Sequence, residues 1–199
     1  MIKNIRKVSN IRYASIREMD ISNGEGVGVA LFVQGCPFNP HCYNCFNPDT
    51  WDFNGGKEWT PEIKDKFLEL IDRPYIKRVS ILGGEPLADE NLDDVLDLVT
   101  TIKEKFPQKT IWIYSGYTWE SIMNYTSCST DDFDYIEESY IDEQYEKRKK
   151  IISMCDVMVD GRYIDSQRDI TLKWRGSTNQ RVIDIQKSLK DGEVKLWTE

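Results

Sequence analysis

The chain lacks several things, and each absence narrows what it does. It has no run of about 18 apolar residues, so no membrane-spanning helix is expected. Its first ten residues, MIKNIRKVSN, carry charge without an apolar h-region, so no secretory leader is expected. Basic residues are outnumbered, and a formal charge of −8 leaves no surplus to displace counterions from nucleic acid. There is no internal repeat and no linker segment in the 199 residues, so one domain spanning 1–199 with a sizeable core is expected. Five cysteines without an export signal point to a reducing, cytoplasmic setting, where metal binding or catalysis is favoured over disulfides.

What the chain does have is a concentration of thiols. Cys36, Cys42 and Cys45 fall within GCPFNPHCYNCFNPDTW, which follows the apolar run Val27–Val33. Soft ligands at this density suit zinc or an iron–sulfur cluster. Cys42 and Cys45, with two residues between them, can meet one centre from one turn. Cys36 lies within reach, since a chain extends about 3.3 Å per residue. With His41 as a fourth ligand the loop would be a structural zinc knot, although His41 directly precedes Cys42, a poor arrangement for tetrahedral closure by both. With three thiolates alone, an iron–sulfur cube keeps one iron open to a substrate. A plain electron carrier is the third reading. Cys155, in the apolar stretch MCDVMVD, reads as core, and Cys128 has no assigned role.

Apolar runs alternate with helical periodicities, which predicts an α/β domain with a mainly parallel sheet. Strands are expected at Val27–Gln34, Arg78–Leu82, Thr110–Tyr114 and Val157–Val159. Thr60 and Pro61 look like a helix start, with Ile63, Phe67, Leu70 and Ile71 on one face. A long helix carries Leu92, Val95, Leu96, Val99, Ile102 and Phe106 and stops at Pro107, and another begins at Thr118. The cysteine loop, Gly83-Gly84-Glu85-Pro86, Ser115-Gly116-Tyr117 and Asp160-Gly161-Arg162 each follow a strand, and in open α/β sheets and βα barrels that edge binds ligands. The glycines of GGEP allow close approach to backbone, and Glu85 supplies charge for a cationic group. Residues 129–150, acidic first and basic last, read as a solvated, partly helical excursion, with a partner-docking surface as the sharper alternative.

Taken together, the cysteine loop, Ile21-Ser22-Asn23-Gly24, Leu31 to Gly35, Asn47, Trp51, the GGEP turn, Ile111 to Gly116, Val157 to Gly161 and the late segment Trp174-Arg175-Gly176-Ser177-Thr178-Asn179-Gln180 resemble the radical S-adenosylmethionine superfamily. Within it, they resemble the activating proteins of anaerobic (class III) ribonucleoside-triphosphate reductase. The resemblance implies an open, partial βα barrel. It also implies a [4Fe–4S] cluster on Cys36, Cys42 and Cys45, with S-adenosylmethionine bound at the open iron. Gly83, Gly84 and Glu85 would receive the methionine ammonium, and Asn44, Phe46 and Asn47 would touch the adenosine side. Asp160 and Arg162 would hold the ammonium and carboxylate, or else form a buried pair with each other. The implied product is a 5′-deoxyadenosyl radical that installs a glycyl radical on the reductase, with flavodoxin or ferredoxin as electron donor. A formate-lyase type of partner is the alternative within the same chemistry. Three departures stand out: five residues separate Cys36 from Cys42 where three are usual, Asn44 stands before the last cysteine where an aromatic residue or glycine is frequent, and many relatives carry Arg where this chain has Gly28.

Overall fold

The computed structural model describes residues 11–126 and 135–198, with 135–138 described as backbone alone. Cys128, the first ten residues and the start of the acidic segment lie outside the described residues. Seven strands form one mixed sheet: β1 (Arg12–Asp20), β2 (Gly28–Val33), β3 (Lys57–Glu58), β4 (Arg78–Gly83), β5 (Thr110–Tyr114), β6 (Val157–Asp160) and β7 (Arg181–Asp184). Their order is β3-β1-β2-β4-β5-β6-β7. The four central strands, β2, β4, β5 and β6, are parallel. The flanking strands β1, β3 and β7 pair antiparallel.

Parallel neighbours need crossovers, and helices supply them. The connections carry α1 (Pro61–Asp72), α2 (Leu92–Lys105), α3 (Trp119–Met123) and α4 (Tyr135–Met154), and α5 (Ile185–Asp191) follows β7. Helix α1 starts where expected: Thr60 Oγ1 accepts from the Ile63 amide at 3.4 Å, with Pro61 at the first position. Helix α2 turns Val95, Leu98, Val99 and Ile102 into the core, so Leu98 rather than Leu96 completes its buried stripe. The described part of the acidic segment is helical and mostly solvated, but it is anchored to the core. It belongs to the 20-residue α4, and Arg148 is buried with its Nε donating to Leu87 O at 2.9 Å and its head paired with Asp89. The guanidinium also lies 5.0 Å from the rings of Tyr117 and Tyr145, which offsets part of its desolvation.

The period-2 alternation of a strand sends side chains to opposite faces. Val29, Leu31, Val79, Ile81, Ile111 and Ile113 join the helices in the main core, where Cys155 also sits, fully buried. The alternate residues Phe32, Leu82, Trp112 and Val159 form smaller clusters on the other face, with Tyr114 packed against them. That face is covered by chain from the loops and the C-terminus. Trp174 and Trp197 meet Trp112 edge-on at 5.0 and 5.8 Å. Trp197 is held there by its amide, which donates to Val182 O at 2.8 Å.

The start of the same face is closed by a buried ion pair. Arg78, fully buried, pairs with Asp20 at 3.0 Å and donates to Asn23 O at 2.6 Å, Asp20 O at 2.8 Å and Glu25 O at 3.2 Å. Burial alone would raise the Asp20 carboxyl, but bonds from Asn23 and Arg78 outweigh it and hold the group below the usual carboxylate range. A Cβ at Gly28 would stand 2.8 Å from Arg78 Cζ. A guanidinium therefore occupies the space over Gly28, delivered from β4 across the Gly28–Arg78 register rather than from β2.

Candidate active site

The C-terminal ends of the parallel strands open into a cavity of about 530 Å³, within the range of small-molecule sites. The turns after β2, β4, β5 and β6 meet there: Cys36, Cys42 and Cys45, then Gly83 to Glu85, Ser115 and Gly116, and Gly161 to Tyr163. The cysteine loop is anchored at both ends. Gly35 N donates to Thr50 O at 2.8 Å and Cys36 N to Trp51 O at 3.0 Å, while Cys45 N closes a turn onto Cys42 O at 3.2 Å. The Asn47 amide donates to Cys45 Sγ at 3.4 Å. His41 is engaged elsewhere, stacked on Trp51 at 4.2 Å with its Nε2 3.3 Å from Cys36 O. Among the described residues no three His, Cys, Asp or Glu side chains converge as a single-ion site.

The GGEP turn is packed against the cysteine loop by backbone. Gly84 N donates to Val33 O at 2.9 Å and Glu85 N to Gly35 O at 2.7 Å. A Cβ on Gly84 would overlap Gly35 O and lie 2.8 Å from Thr50 O, so only glycine lets the two turns touch. The Glu85 carboxylate is buried and already bonded, accepting from Leu87 N at 2.9 Å, Ser115 Oγ at 2.9 Å and Gly116 N at 2.7 Å. Burial pushes its carboxyl up to about 7 despite those donors. Burial likewise pushes the Cys36 thiol up to about 11, with Glu85 and the other two cysteines adding to the rise. A cation at this point would reverse that balance, since a coordinating thiol gives up its proton. The donor set thus fits a group that brings positive charge and soft affinity. A cube offers each thiolate a different iron, whereas zinc gathers its ligands on one ion.

The other candidate residues divide. Phe46 and Asn47 line the cavity, Phe46 with its ring 4.9 Å from Tyr163. Asn44 is exposed and outside the lining, and its φ of 55° serves the turn between Cys42 and Cys45, a conformation asparagine tolerates. Asp160 does not reach the cavity with its carboxylate. It is buried, accepts from Trp119 N at 2.9 Å, and pairs with Arg181, which also forks onto Glu120 at 2.9 and 2.7 Å. The buried Asp–Arg pair therefore exists with Arg181 in place of Arg162. Arg162 lines the cavity but lies over the Phe38 ring at 5.1 Å and donates to Pro40 O, bracing the cysteine loop. Sequence reading missed Tyr114 and Arg175, which also line the cavity. Their signal was the β5 pattern and the Trp174–Gln180 motif, neither of which names a role.

Comparison with known proteins agrees with this geometry. Residues 22–183 match the family model described as a 4Fe-4S single cluster domain. The chain is 33% identical over 174 residues to a protein of Salmonella typhi named anaerobic ribonucleoside-triphosphate reductase-activating protein, covering 86% of this chain and 97% of that one. Proteins of the same name from Escherichia coli K12 and Enterobacteria phage T4 are 32% and 30% identical over 174 residues. Each match covers 86% of this chain, and 97% and 93% of the relatives.

Proposed function

The chain belongs to the family of anaerobic ribonucleoside-triphosphate reductase-activating proteins, and on that premise we propose how its cavity does that work. It is an activating oxidoreductase that installs a glycyl radical on the anaerobic reductase. Cys36, Cys42 and Cys45 would hold a [4Fe–4S] cluster. The Gly83–Glu85 turn would receive the ammonium of S-adenosylmethionine, with Phe46 and Asn47 on its adenosine side. When bound, the reduced cluster would supply the one electron that splits S-adenosylmethionine into methionine and a 5′-deoxyadenosyl radical able to take the α-hydrogen of one reductase glycine.

The protein's own part is placement. Glu85 ties the turns after β4 and β5 together, and Arg162 braces the cysteine loop. Neither Asp160 nor Asn44 is assigned a cofactor contact. The open sheet is read as a partial βα barrel of the radical S-adenosylmethionine type, forming one domain, since 199 residues fall short of the roughly 250 of a full barrel. An open edge suits a substrate that is itself a protein loop. A flavodoxin or ferredoxin in the cytoplasm would supply the electron. No helix among the described residues is long and apolar enough to cross a membrane.

The observation that carries this reading is three half-buried thiols lining one cavity with the GGEP turn. The test is anaerobic reconstitution, reduction and assay for 5′-deoxyadenosine, followed by EPR with the reductase and, separately, with a formate-lyase type enzyme. Iron near four per chain, 5′-deoxyadenosine, and a glycyl radical on the reductase are expected. One zinc and no iron would leave a structural module, and a radical on the lyase alone would reassign the partner. Cys45→Ala should abolish the nucleoside product while the metal-free protein unfolds at nearly its usual temperature.

A further inference from the structure

The Trp174–Gln180 turn has no role in the chemistry above, yet it is built like part of a site. Gln180 Oε1 accepts from Gly176 N at 3.0 Å and Ser177 N at 3.3 Å, and its Nε2 donates to Gly161 O at 2.9 Å. Asn179 Nδ2 donates to Arg162 O at 2.9 Å, and the fully buried Ser177 accepts from Ile164 N at 3.2 Å through its hydroxyl. The turn is thereby fastened to the loop after β6. Gly176 lies so close to the Phe46 and Tyr163 rings that a Cβ would stand 2.5 Å and 3.1 Å from them. Trp174 holds a φ of 62°, a conformation costly for a large side chain and kept only where surroundings impose it, here the contact with Trp112.

What this fastening presents is Arg175. It lines the cavity, and its Nε is buried without a hydrogen-bond partner. The two other arginines of the lining are occupied. Arg162 is committed to Pro40 O and Phe38, and Arg17 lies 4.5 Å over Phe32 and 3.7 Å from Asp20. A guanidinium on the cavity wall that no acid of the described residues pairs with matches a carboxylate, which it grips in a fork that lysine lacks. We propose that Arg175, held by the Trp174–Gln180 turn, binds the α-carboxylate of S-adenosylmethionine. The proposal rests on the reading that the cavity takes this nucleotide.

The test compares S-adenosylhomocysteine with its decarboxylated analogue, which keeps the ammonium, by calorimetry on reconstituted protein of equal iron content. Arg175→Gln should weaken S-adenosylhomocysteine about ten- to a hundredfold, as loss of a charged hydrogen bond does, and leave the analogue nearly unchanged. Arg175→Met, with an unbranched stem, is read the same way should the first variant fail to load iron. A variant that keeps the full preference for the carboxylate overturns the assignment. So does one that keeps it while losing affinity for the reductase, which would place the carboxylate on the protein substrate. If wild-type protein binds neither ligand, the nucleotide reading itself falls, a different failure from that of Arg175.

Discussion

Strand β4 shows two ways of burying a strand. Toward the helices it sends Val79 and Ile81; toward the other face it sends Arg78, Ser80 and Leu82. All five are buried, yet the helix side is held by apolar area alone, whereas the other side adds one ion pair and its carbonyls to the small apolar cluster of Leu82. Apolar packing is forgiving, because its contacts are many and small. A buried pair is not, because removing one partner strands the other. The fold thus keeps its tolerant chemistry behind the sheet and sets its intolerant chemistry at the start of β4, where it holds the Asp20–Gly28 segment.

Arg78→Leu is the sharpest way to break that contrast. It takes from Asp20 its buried partner, leaving only the half-exposed Arg17 at 3.7 Å, and strips donors from Asn23 O and Glu25 O, so a loss of about 3–5 kcal/mol is expected in denaturant unfolding of the metal-free protein. Ile81→Val, on the opposite face of the same strand, should cost only about 0.5–1.5 kcal/mol. Equal losses would mean that the two faces are not built differently.

Glu85 sharpens the contrast through pH. Its folded carboxyl sits near 7 and its ordinary value is 4.5, so between those limits the folded state binds the proton and the unfolded state does not. Stability attributable to this group is therefore full below about pH 4.5 and is lost as pH rises to about 7, with a limiting slope of about 1.4 kcal/mol per pH unit. Glu85→Gln should flatten that decline in the metal-free protein, measured as unfolding midpoints across the window. An unchanged slope would place the titration elsewhere.

The same contrast decided what could be read from sequence. The helix side was legible: β5 matches its expected Thr110–Tyr114 span, β2, β4 and β6 differ by a residue or two at their ends, and Thr60 caps α1. Strand β1 escaped notice because RYASIREMD is half-solvated without a clear apolar run, and β7 because four residues carry too little periodicity. The convergence of four turns followed from the strand-end rule, and the cavity gathers them. Partner choice did not follow. Asp160 and Arg162 sit two residues apart on one turn, but burial turns one toward Arg181 while the other reaches Pro40. Arg78 read as the polar start of a strand, since only the return of the Asp20–Gly28 segment gives it partners.

The smallest expected effect tests the boundary between the two kinds of burial. The Tyr114 hydroxyl is buried with no partner, on the cavity face, beside Phe32 and Leu82. Burial pushes the phenol well above its ordinary value, so it stays a protonated donor at any working pH. An unsatisfied buried hydroxyl costs about 1–3 kcal/mol, so its removal forfeits nothing and recovers part of that cost. Tyr114→Phe should leave the metal-free protein within about 0.5 kcal/mol of wild type, or slightly more stable, by thermal unfolding. A loss above about 1 kcal/mol would reveal an acceptor in the folded chain and move Tyr114 to the side of Arg78. A neutral result, paired with weaker S-adenosylhomocysteine binding after reconstitution, would mean the hydroxyl finds its partner in the ligand.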